Sequence, residues 1–310
     1  MIRHNIPTAR YRTFNRKNIH EADHFLDSLE PPYVLKADGL AAGKGVLILT
    51  DLKEAKKSLE DMILNKKFGQ ASEKVVIEEY LKGTEVSSFV LTDGQSYKIF
   101  PMAKDYKRVG SGDTGLNTGG MGAISPVPFV DHKLYQKIEK QIILPTIEGL
   151  KKDKIEYTGF LFIGLMIVKS EPYVIEYNVR LGDPETEAIL PRIESDLLEI
   201  FLQLKSSKLE SSKLKVSDFF SSTVMIVSKG YPENYQKGKI ISGLNFKNDS
   251  LLFHSGTKIE SENIVTSGGR VIAVTSMDRS LSMSLEKTYN TISKIGFDGK
   301  TYRSDIGFDL

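Results

Sequence analysis

The clearest chemical signal in the chain is a polar run that follows an apolar stretch, Val174-Ile175-Glu176-Tyr177-Asn178-Val179-Arg180. Side chains alternate along a β-strand, so Glu176 and Asn178 project from one face, two residues apart. A carboxylate and an amide oxygen are hard ligands that suit Mg²⁺, which also keeps waters and phosphate oxygens in its shell. Arg180 continues that face if the strand persists, and its planar guanidinium suits phosphate. The run predicts a metal site beside a phosphate; the alternative is a polar strand end whose charges pair with one another.

A glycine-rich loop near the start of the chain offers a place for phosphates. Its glycines, Gly39, Gly43 and Gly45, would let the backbone approach phosphate oxygens, and Lys44 adds a positive charge. The loop is not a Walker A motif, because the spacing between its glycines is too short and Gly45 follows Lys44 in place of Ser or Thr. Apolar strands on both sides predict a hairpin folded over phosphates like a lid, and a flexible turn is the alternative.

Lys36 interrupts the apolar strand 33–37 just ahead of that loop. A buried ammonium group needs an anionic partner. A nearby carboxylate or a bound phosphate would each serve, and the adjoining loop favours phosphate.

Two acids end a further apolar strand, in the run Glu78-Glu79-Tyr80-Leu81, and Glu85 follows after Gly83. Paired acids at a strand end are usually solvated, and this is the simpler interpretation of the run taken alone. A hinge at this position would instead offer backbone groups to an adenine ring and a carboxylate to ribose hydroxyls.

The long loop between Lys104 and Ser125 is the last candidate, because it concentrates glycines. Glycines there indicate unusual backbone angles or close approach of a ligand, and a mobile surface loop is the alternative. A turn at Gly182-Asp183-Pro184-Glu185 opens a helix, with Pro184 suited to its first position. The polar and glycine positions of the long loop are Asp113, Gly115, Asn117, Thr118, Gly119, Gly120 and Gly122.

Composition limits which functions these residues can serve. The chain has 42 Lys and Arg against 40 Asp and Glu, without the basic excess of a nucleic-acid-binding protein. No stretch approaches the roughly 20 apolar residues that cross a bilayer, and no export signal is present, so we expect a cytoplasmic protein. The absence of cysteine excludes disulfides, thiolate nucleophiles and zinc–sulfur sites. A metal must therefore be held by oxygen or by scattered histidines, which favours magnesium-type chemistry.

The elements that must position these residues fall into three regions, as expected for 310 residues. Residues 12–80 predict a small lobe of strand, loop, strand, helix and strand, whose helix is capped near Thr50-Asp51. Residues 81–217 predict a larger lobe that carries the metal site. A Ser/Lys-rich stretch, 206–215, is predicted to link it to a C-terminal strand-rich region, 218–310.

The chain resembles the ATP-grasp superfamily in the order of four features: the strand lysine, the glycine-rich lid, the Glu-Glu hinge and the Glu-x-Asn pair. Within it the chain resembles the phosphoribosylamine–glycine ligase family, and one matching motif is Gly182-Asp183-Pro184-Glu185-Thr186. The resemblance implies an α+β ATP-grasp fold, in which two α+β lobes enclose the nucleotide, plus a C-terminal, mostly antiparallel β domain. The other matching stretches are residues 3–9, 36–46, 117–123, 268–271 and 302–307.

The resemblance also implies a reaction: ATP-dependent joining of glycine to 5-phosphoribosylamine through glycyl phosphate, with Mg²⁺ or Mn²⁺. It implies small-molecule partners, with no nucleic acid and no membrane. Two alternative functions remain open: the chain is an ATP-grasp ligase for a different acid or amine, or it is a non-catalytic nucleotide-binding fragment. The family begins with a further domain of about a hundred residues. The resemblance therefore implies that residues 1–11 are the link from a missing N-terminal domain, which a separate chain would supply.

Residue roles carried over from the family divide the site into five parts. Glu176 and Asn178 would bind the metal. Lys36, Gly43, Lys44 and Gly45 would bind phosphates, and Glu78, Glu79, Tyr80, Leu81 and Glu85 would line the adenosine pocket. Arg180, Lys44 and Asp183 would act in catalysis. Asp105, Asn117, Thr118, Gly119, Gly120, Asp183 and Glu185 would bind the substrates.

The chain departs from the family pattern on the substrate side. It has Lys104-Asp105-Tyr106-Lys107-Arg108 where the family often has Gln-Asp-His-Lys-Arg, and Leu116 where proline is common. Leu181 and Glu187 replace a frequent Phe and Gln. The nucleotide and metal positions are unchanged. All of these predictions require Lys36 and Glu176 to face one cleft.

Overall fold

The computed structural model describes residues 1–39, 45–205, 208–245 and 249–310. Its α-helices are α1 (Ala22–Asp27), α2 (Leu52–Ile63), α3 (His132–Ile138), α4 (Leu144–Lys152), α5 (Glu185–Ile189), α6 (Leu197–Lys205) and α7 (Leu281–Lys294). Its strands are β1 (Tyr11–Asn15), β2 (Tyr33–Ala37), β3 (Val46–Leu49), β4 (Lys74–Glu79), β5 (Thr84–Thr92), β6 (Tyr97–Asp105), β7 (Arg108–Gly110), β8 (Thr114–Asn117), β9 (Gly122–Ser125), β10 (Gly159–Val168), β11 (Glu171–Asn178), β12 (Phe220–Ser228), β13 (Leu251–His254), β14 (Thr257–Glu260), β15 (Asn263–Thr266), β16 (Arg270–Asp278) and β17 (Lys300–Thr301). A π-helical stretch, Glu139–Ile143, joins α3 to α4.

The small lobe is a four-stranded antiparallel sheet in the order β1-β4-β2-β3, covered on one face by α1 and α2. Asp51 caps α2, as predicted, by accepting a hydrogen bond from the Glu54 amide. Leu35 and Ile77 point towards the helices and are fully buried. Because successive side chains alternate, Lys36 and Glu78 point from the other face, on which no helix of the described residues packs.

A second, nine-stranded sheet runs through both the large lobe and the C-terminal region. Its main path is β11-β10-β5-β6-β9-β12-β16-β13, and β17 also pairs with β12. The short strand β9 makes the join, since Lys104 pairs with Ile124 on one side of it and Ser222 pairs with Ile124 on the other. The mixed α+β architecture with an antiparallel C-terminal region is confirmed, and one hydrogen-bonded sheet crosses from one region to the other.

Helices cover this long sheet in separate places. The run α3–α4 packs on the large-lobe strands around Val90, Leu165 and Val174, and α5 and α6 pack around Phe89 and Phe162. In the C-terminal region α7 packs against β12 and β16. No helix within the described residues has the length and apolarity that a membrane crossing requires.

Residues 7 and 8 pair with the outer edge strand of the large-lobe sheet before the chain enters the small lobe. The Val174 amide donates to the Pro7 carbonyl at 2.8 Å, and the Thr8 hydroxyl donates to the Val174 carbonyl at 2.8 Å. The strand β11, which carries the predicted metal ligands, is therefore paired on both sides near its middle.

The predicted Ser/Lys-rich linker lies partly outside the described residues. Its described part, from Lys208, packs against the large lobe: Leu209 is fully buried, and the Lys98 ammonium group donates to the Glu210 carbonyl at 2.9 Å. The described part is therefore anchored to the large lobe by an apolar side chain, and its place as the link between the two regions stays a prediction.

Candidate active site

The structure brings Lys36 and Glu176 to the same cleft between the small and large lobes. The Lys36 ammonium group lies 2.7 Å from the Glu78 carboxylate and donates to the Ile175 carbonyl over 3.2 Å. Ile175 directly precedes Glu176. The carboxylate partner that the sequence left open for Lys36 is thus Glu78, and the second contact ties the two lobes together at the predicted metal site.

A β-bulge explains why the Ile175 carbonyl is available to Lys36. In the pairing of β10 with β11, Gly164 is opposite Glu176 but Leu165 is opposite Val174, so Ile175 is the extra residue. A bulge leaves its extra residue out of the regular ladder of hydrogen bonds. The Ile175 carbonyl therefore turns to a donor outside the sheet.

The Glu176 side chain lies across the neighbouring strand over Gly164. A Cβ atom at position 164 would lie 2.9 Å from Glu176 Cγ, so a glycine is needed for the carboxylate to take this path. On its other side Gly164 is opposite Ser87 in β5. Glu176, Gly164 and Ser87 thus form one row on the sheet face that looks into the cleft.

Asn178 and Arg180 lie side by side at the end of β11. Arg180 Nη2 is 3.5 Å from the Asn178 side-chain oxygen, and Nη1 donates to the Leu181 carbonyl at 2.9 Å. Both Arg180 and Glu176 are exposed. The polar strand end therefore contacts itself in part, as the alternative interpretation proposed, but its charged groups stay accessible from the cleft.

The donor set at this strand end fits a hard divalent cation that is completed by a ligand. Within residues 1–39, 45–205, 208–245 and 249–310, no cluster of three or more His, Cys, Asp or Glu side chains could hold a metal by itself. Glu176 and Asn178 offer two oxygens, and Mg²⁺ usually takes its remaining ligands from water and substrate phosphates. These residues thus fit Mg²⁺ or Mn²⁺ as part of a metal–nucleotide complex.

Lys107 stands among carboxylates on the same face. It forms an ion pair with Glu85. Burial lowers the pKa of Lys107, but the charges of Asp105, Glu85 and Glu176 outweigh it and raise that pKa above its ordinary value. Burial also raises the pKa of the Asp105 carboxyl. Sequence reasoning gave Lys107 no role, although the alternation of charges in Lys104–Arg108 was a signal.

Glu185 is a second carboxyl group held in an apolar setting. It is only 4% exposed, and the Ser87 hydroxyl donates to its Oε1 at 3.1 Å. Burial, with repulsion from Asp105, raises the pKa of Glu185 to about 7. The predicted substrate residues Asp105 and Glu185 therefore lie close enough for their charges to interact.

The predicted adenosine residues separate into two groups. The Glu78 carboxylate faces Lys36, whereas the Glu79 carboxylate accepts a hydrogen bond from the Arg10 amide at 2.7 Å. Tyr80 is exposed and Leu81 half-buried, directly after them. Glu85 lies apart from this pair, with Lys107.

Apolar side chains that sequence reasoning missed flank Lys36 on the cleft face. Val46 is directly opposite Lys36, and Ile48 is opposite Val34, so all four point to the same side of the sheet. Val46 and Ile48 are 47% and 49% exposed although they are apolar. Such a surface beside a cation suits a flat base attached to phosphates.

Of the predicted loop residues, Gly43 and Lys44 lie outside the described residues, and the Gly45 carbonyl accepts a hydrogen bond from the Ala37 amide at 2.8 Å.

The segment Asn117–Gly120 meets the Asp183 turn, as the substrate-side prediction requires. Gly120 has φ +116°, and a Cβ atom there would overlap the Pro184 ring. Thr118 shapes the segment: its hydroxyl donates to the Lys107 carbonyl at 2.8 Å and accepts from the Gly120 amide at 2.9 Å. Asn117 is exposed.

Arg270, from the C-terminal region, contacts both of these segments. Its Nη1 lies 2.7 Å from the Gly119 carbonyl and 3.0 Å from the Asp183 carboxylate. Sequence reasoning gave Arg270 no role, although residues 268–271 were among the stretches matching the family. The neighbouring Glu187 has its Oε2 buried without a hydrogen-bond partner among the described residues, and burial together with Asp183 raises the pKa of Glu187 to about 7.

Comparisons with known proteins identify the family of the chain. The family model for the phosphoribosylglycinamide synthetase ATP-grasp (A) domain matches residues 1–186, and that for the C domain of the same family matches residues 221–309. The phosphoribosylamine–glycine ligase of Chlorobaculum tepidum is 43% identical over 99% of this chain and 73% of its own length. A bifunctional purine biosynthetic protein of Pichia angusta is 45% identical over 99% of this chain, which corresponds to 39% of that longer protein.

Solved structures give the same answer for the fold. The crystal structure of phosphoribosylamine–glycine ligase from Thermotoga maritima superimposes with a TM-score of 0.87 at 36% identity, covering 98% of this chain and 76% of that one. A biotin carboxylase from Campylobacter jejuni, solved as a β-γ-ATP complex, has a TM-score of 0.74 at 14% identity over 97% of this chain and 65% of that one, and shares the fold alone. The chain therefore belongs to the phosphoribosylglycinamide synthetase family and contains the ATP-grasp and C domains of that family.

Proposed function

We propose that this chain catalyses the ATP-dependent ligation of glycine to 5-phosphoribosylamine, a step of purine biosynthesis in the cytoplasm. The products are glycinamide ribonucleotide, ADP and phosphate. The observation that carries the proposal is the position of Lys36, which reaches from the small lobe to the backbone beside Glu176. A cation and a pair of metal-ligating oxygens then face the same space, which suits a triphosphate with its metal. Relatives that carry this enzyme name support the choice of substrates.

The proposed reaction has two displacement steps. A glycine carboxylate oxygen attacks the γ-phosphorus of ATP, the bond to the β,γ-bridging oxygen breaks, and ADP leaves with that electron pair. The amine of 5-phosphoribosylamine then attacks the carbonyl carbon of glycyl phosphate, phosphate leaves with the C–O bond pair, and the new amide nitrogen loses a proton. No covalent bond to the protein is needed, so the protein contributes positioning and neutralisation of charge.

The nucleotide side of the site divides this work among three groups of residues. We assign Lys36 and Lys44, with Gly43 and Gly45, to the phosphates, and Arg180 to the transferring phosphoryl group. A divalent cation, Mg²⁺ or Mn²⁺, held by Glu176 and Asn178 would neutralise phosphate charge. The adenosine pocket is assigned to Glu78, Glu79, Tyr80, Leu81 and Glu85, with Val46 and Ile48 against the base.

Lys107 and the carboxylates around it separate the substrate side of the site from the phosphate side. Lys107 holds Asp105 and Glu85 in place by its charge, and Glu185 stays next to Ser87. Asp183 lies at the end of this side, beside the loop. Our substrate-binding residues are Asp105, Asn117, Thr118, Gly119, Gly120, Asp183 and Glu185.

Product analysis with a metal-site variant tests the proposal. The chain is incubated with glycine, 5-phosphoribosylamine and Mg-ATP, and ADP and glycinamide ribonucleotide are quantified. Glu176→Gln keeps the size of the side chain but removes its charge, so we expect turnover to fall at least about a hundredfold at ordinary magnesium concentration. Glu156→Gln changes an exposed glutamate outside the cleft and serves as the matched control.

Two outcomes would overturn the proposal. Unchanged turnover by Glu176→Gln would remove the metal assignment. Faster ADP formation with formate or bicarbonate than with glycine would instead identify a different ATP-grasp ligase. Because the chain spans 73% of the Chlorobaculum tepidum relative, each assay is also run with the N-terminal segment of that relative added as a separate chain.

A further inference from the structure

The acceptor loop, residues 117–120, is bound by side chains that come from the C-terminal region. Arg270 Nη1 donates to the Gly119 carbonyl at 2.7 Å and to the Asp183 carbonyl at 2.8 Å, and it lies 3.0 Å from the Asp183 carboxylate. A single guanidinium group thus joins the acceptor loop to the turn that carries Asp183. Charge-assisted hydrogen bonds of this kind are stronger than neutral ones.

The amide of the same glycine is bound from the same region. The Gly119 N–H donates to the Tyr231 hydroxyl at 2.9 Å, so the C-terminal region binds both polar backbone groups of Gly119. Tyr231 can lie this close to the strand of Arg270 because residue 269 is glycine, and a Cβ atom there would collide with the Tyr231 ring. Arg270 and Tyr231 therefore act on the loop as one unit.

The glycines of the loop are fitted to this contact. A Cβ atom at Gly119 would lie 3.0 Å from Arg270 Cζ and 3.2 Å from Nε, which is closer than ordinary packing permits. A Cβ atom at Gly120 would overlap Pro184 in the turn. At Gly120 only hydrogen fits against the turn, whereas a side chain at Gly119 would have to displace the Arg270 guanidinium group by a few tenths of an ångström.

The position of β9 explains how a C-terminal side chain reaches this loop. The acceptor loop runs directly into β9, and β9 pairs with β12 of the C-terminal region. Gly122 is opposite Val224, and the Met225 amide donates to the Met121 carbonyl at 2.9 Å. The end of the loop is thus fixed in the sheet that also carries Arg270, and the guanidinium group fixes its tip.

From these contacts we infer that Arg270 is a positioning residue for the second half of the reaction, in which the amine attacks. It holds the acceptor loop against the Asp183 turn and has no part in binding the nucleotide. The assignment of Arg270 to that half-reaction rests on the proposed function, whereas its contacts with the acceptor loop do not depend on that function. The large lobe and the C-terminal region together form the surface that the amine substrate contacts.

The experiment compares Arg270→Met and Arg270→Lys with Arg279→Met, which changes an exposed arginine of the same region. Hydrogen–deuterium exchange is followed in peptides covering residues 114–125, Mg-ATP affinity is measured by calorimetry, and KM is measured for 5-phosphoribosylamine. For Arg270→Met we expect at least tenfold faster exchange at Gly119 and Gly120 and at least a tenfold higher KM, with the Mg-ATP Kd within twofold of the wild type. Arg270→Lys should recover part of both losses, because its ammonium group reaches fewer of the acceptors.

A milder variant covers the case in which Arg270→Met fails to fold. Tyr231→Phe removes only the hydroxyl that accepts from Gly119, and should raise exchange and KM in the same direction by about threefold. Unchanged exchange in Tyr231→Phe and Arg270→Lys, or a Kd for Mg-ATP that weakens as much as the KM rises, would overturn the inference. If the wild-type chain forms no glycinamide ribonucleotide, the proposed function fails, while exchange and Mg-ATP affinity still decide whether Arg270 holds the loop.

Discussion

Lys36 of the small lobe donates a hydrogen bond over 3.2 Å to the backbone carbonyl of Ile175 in the large lobe. The acceptor is the extra residue of a bulge, so no ladder hydrogen bond of the sheet competes for it. The same ammonium group is 2.7 Å from Glu78. A phosphate entering the cleft would meet a lysine that is already held in place between the two lobes, and only part of its side-chain entropy would remain to be lost.

Lys36→Met is expected to weaken Mg-ATP binding. The variant keeps the length of the side chain but loses one charge-assisted contact, which is about 1.5–3 kcal/mol, or roughly ten- to hundredfold in Kd. Calorimetric titration measures the change, with Lys53→Met on the exposed side of α2 as the matched control. Equal affinities of the wild type and Lys36→Met would remove Lys36 from the nucleotide site.

Gly164→Ala is expected to disturb the metal site although it replaces neither of the two assigned metal ligands. The new methyl group would lie 2.9 Å from Glu176 Cγ and 3.4 Å from Ile175 Cγ1, so the Glu176 side chain must move. A displaced ligand should raise the magnesium concentration for half-maximal turnover by about tenfold or more. The same change in a Glu176→Gln background should have little further effect. A large additional loss in that double variant would show that Gly164 acts by another route.

Local patterns were sufficient to single out Lys36 and Glu176, whereas the cleft that they share was implied by the resemblance to the ATP-grasp superfamily. Strand alternation put Glu176 and Asn178 on one face, and a charge within an apolar strand singled out Lys36; both depend only on near neighbours in the chain. The role of the Ile175 carbonyl was not predictable in this way. It follows from the register between β10 and β11, which is set by contacts along two whole strands.

Arg270 and Lys107 escaped sequence reasoning for a related reason. Each acts through partners that are distant in the chain: Arg270 through Gly119 and Asp183, Lys107 through Glu85 and Glu176. Only the order of strands brings these residues together, and the decisive pairing of β9 with β12 involves four residues on β9. A strand this short has no periodicity that separates it from the glycine-rich loop before it.

Glu185 is expected to make stability depend on pH. Its pKa rises from 4.5 to about 7 on folding, mainly through burial, so the folded state binds more protons than the unfolded state between these values. The contribution of Glu185 to the free energy of unfolding is therefore fully present below pH 4.5 and is lost as the pH rises through 7. Glu185→Gln removes this pH dependence. The free energy of unfolding of the variant minus that of the wild type should therefore rise between pH 5 and pH 8, by up to about 3 kcal/mol.

Urea denaturation at pH 5, 6.5 and 8 without nucleotide measures this difference, and Glu156→Gln provides the exposed control. A difference between Glu185→Gln and the wild type that stays constant across the three pH values would show that Glu185 titrates normally.

Arg303 is expected to carry much of the stability at the junction between the C-terminal segment and the hairpin β7–β8. Its side chain is only 1% exposed; it donates to both carboxylate oxygens of Asp305, at 2.9 and 2.8 Å, and to Asp113 at 2.6 Å. Removing the guanidinium group leaves Asp305, which is 19% exposed, without its partner, whereas Asp113 is 44% exposed and can be solvated. Arg303→Met should therefore lower the free energy of unfolding by about 2–3 kcal/mol.

Denaturant unfolding measures the loss, and Arg279→Met should stay within about 0.5 kcal/mol of the wild type. Arg303→Lys should recover little, because an ammonium group cannot make the two parallel hydrogen bonds to Asp305. The guanidinium group also lies 5.3 Å from the centre of the Tyr106 ring, so its loss should loosen the start of the long loop between Lys104 and Ser125 as well. An Arg303→Met variant as stable as the wild type would mean that the apolar packing around Tyr106 holds this junction without the charges.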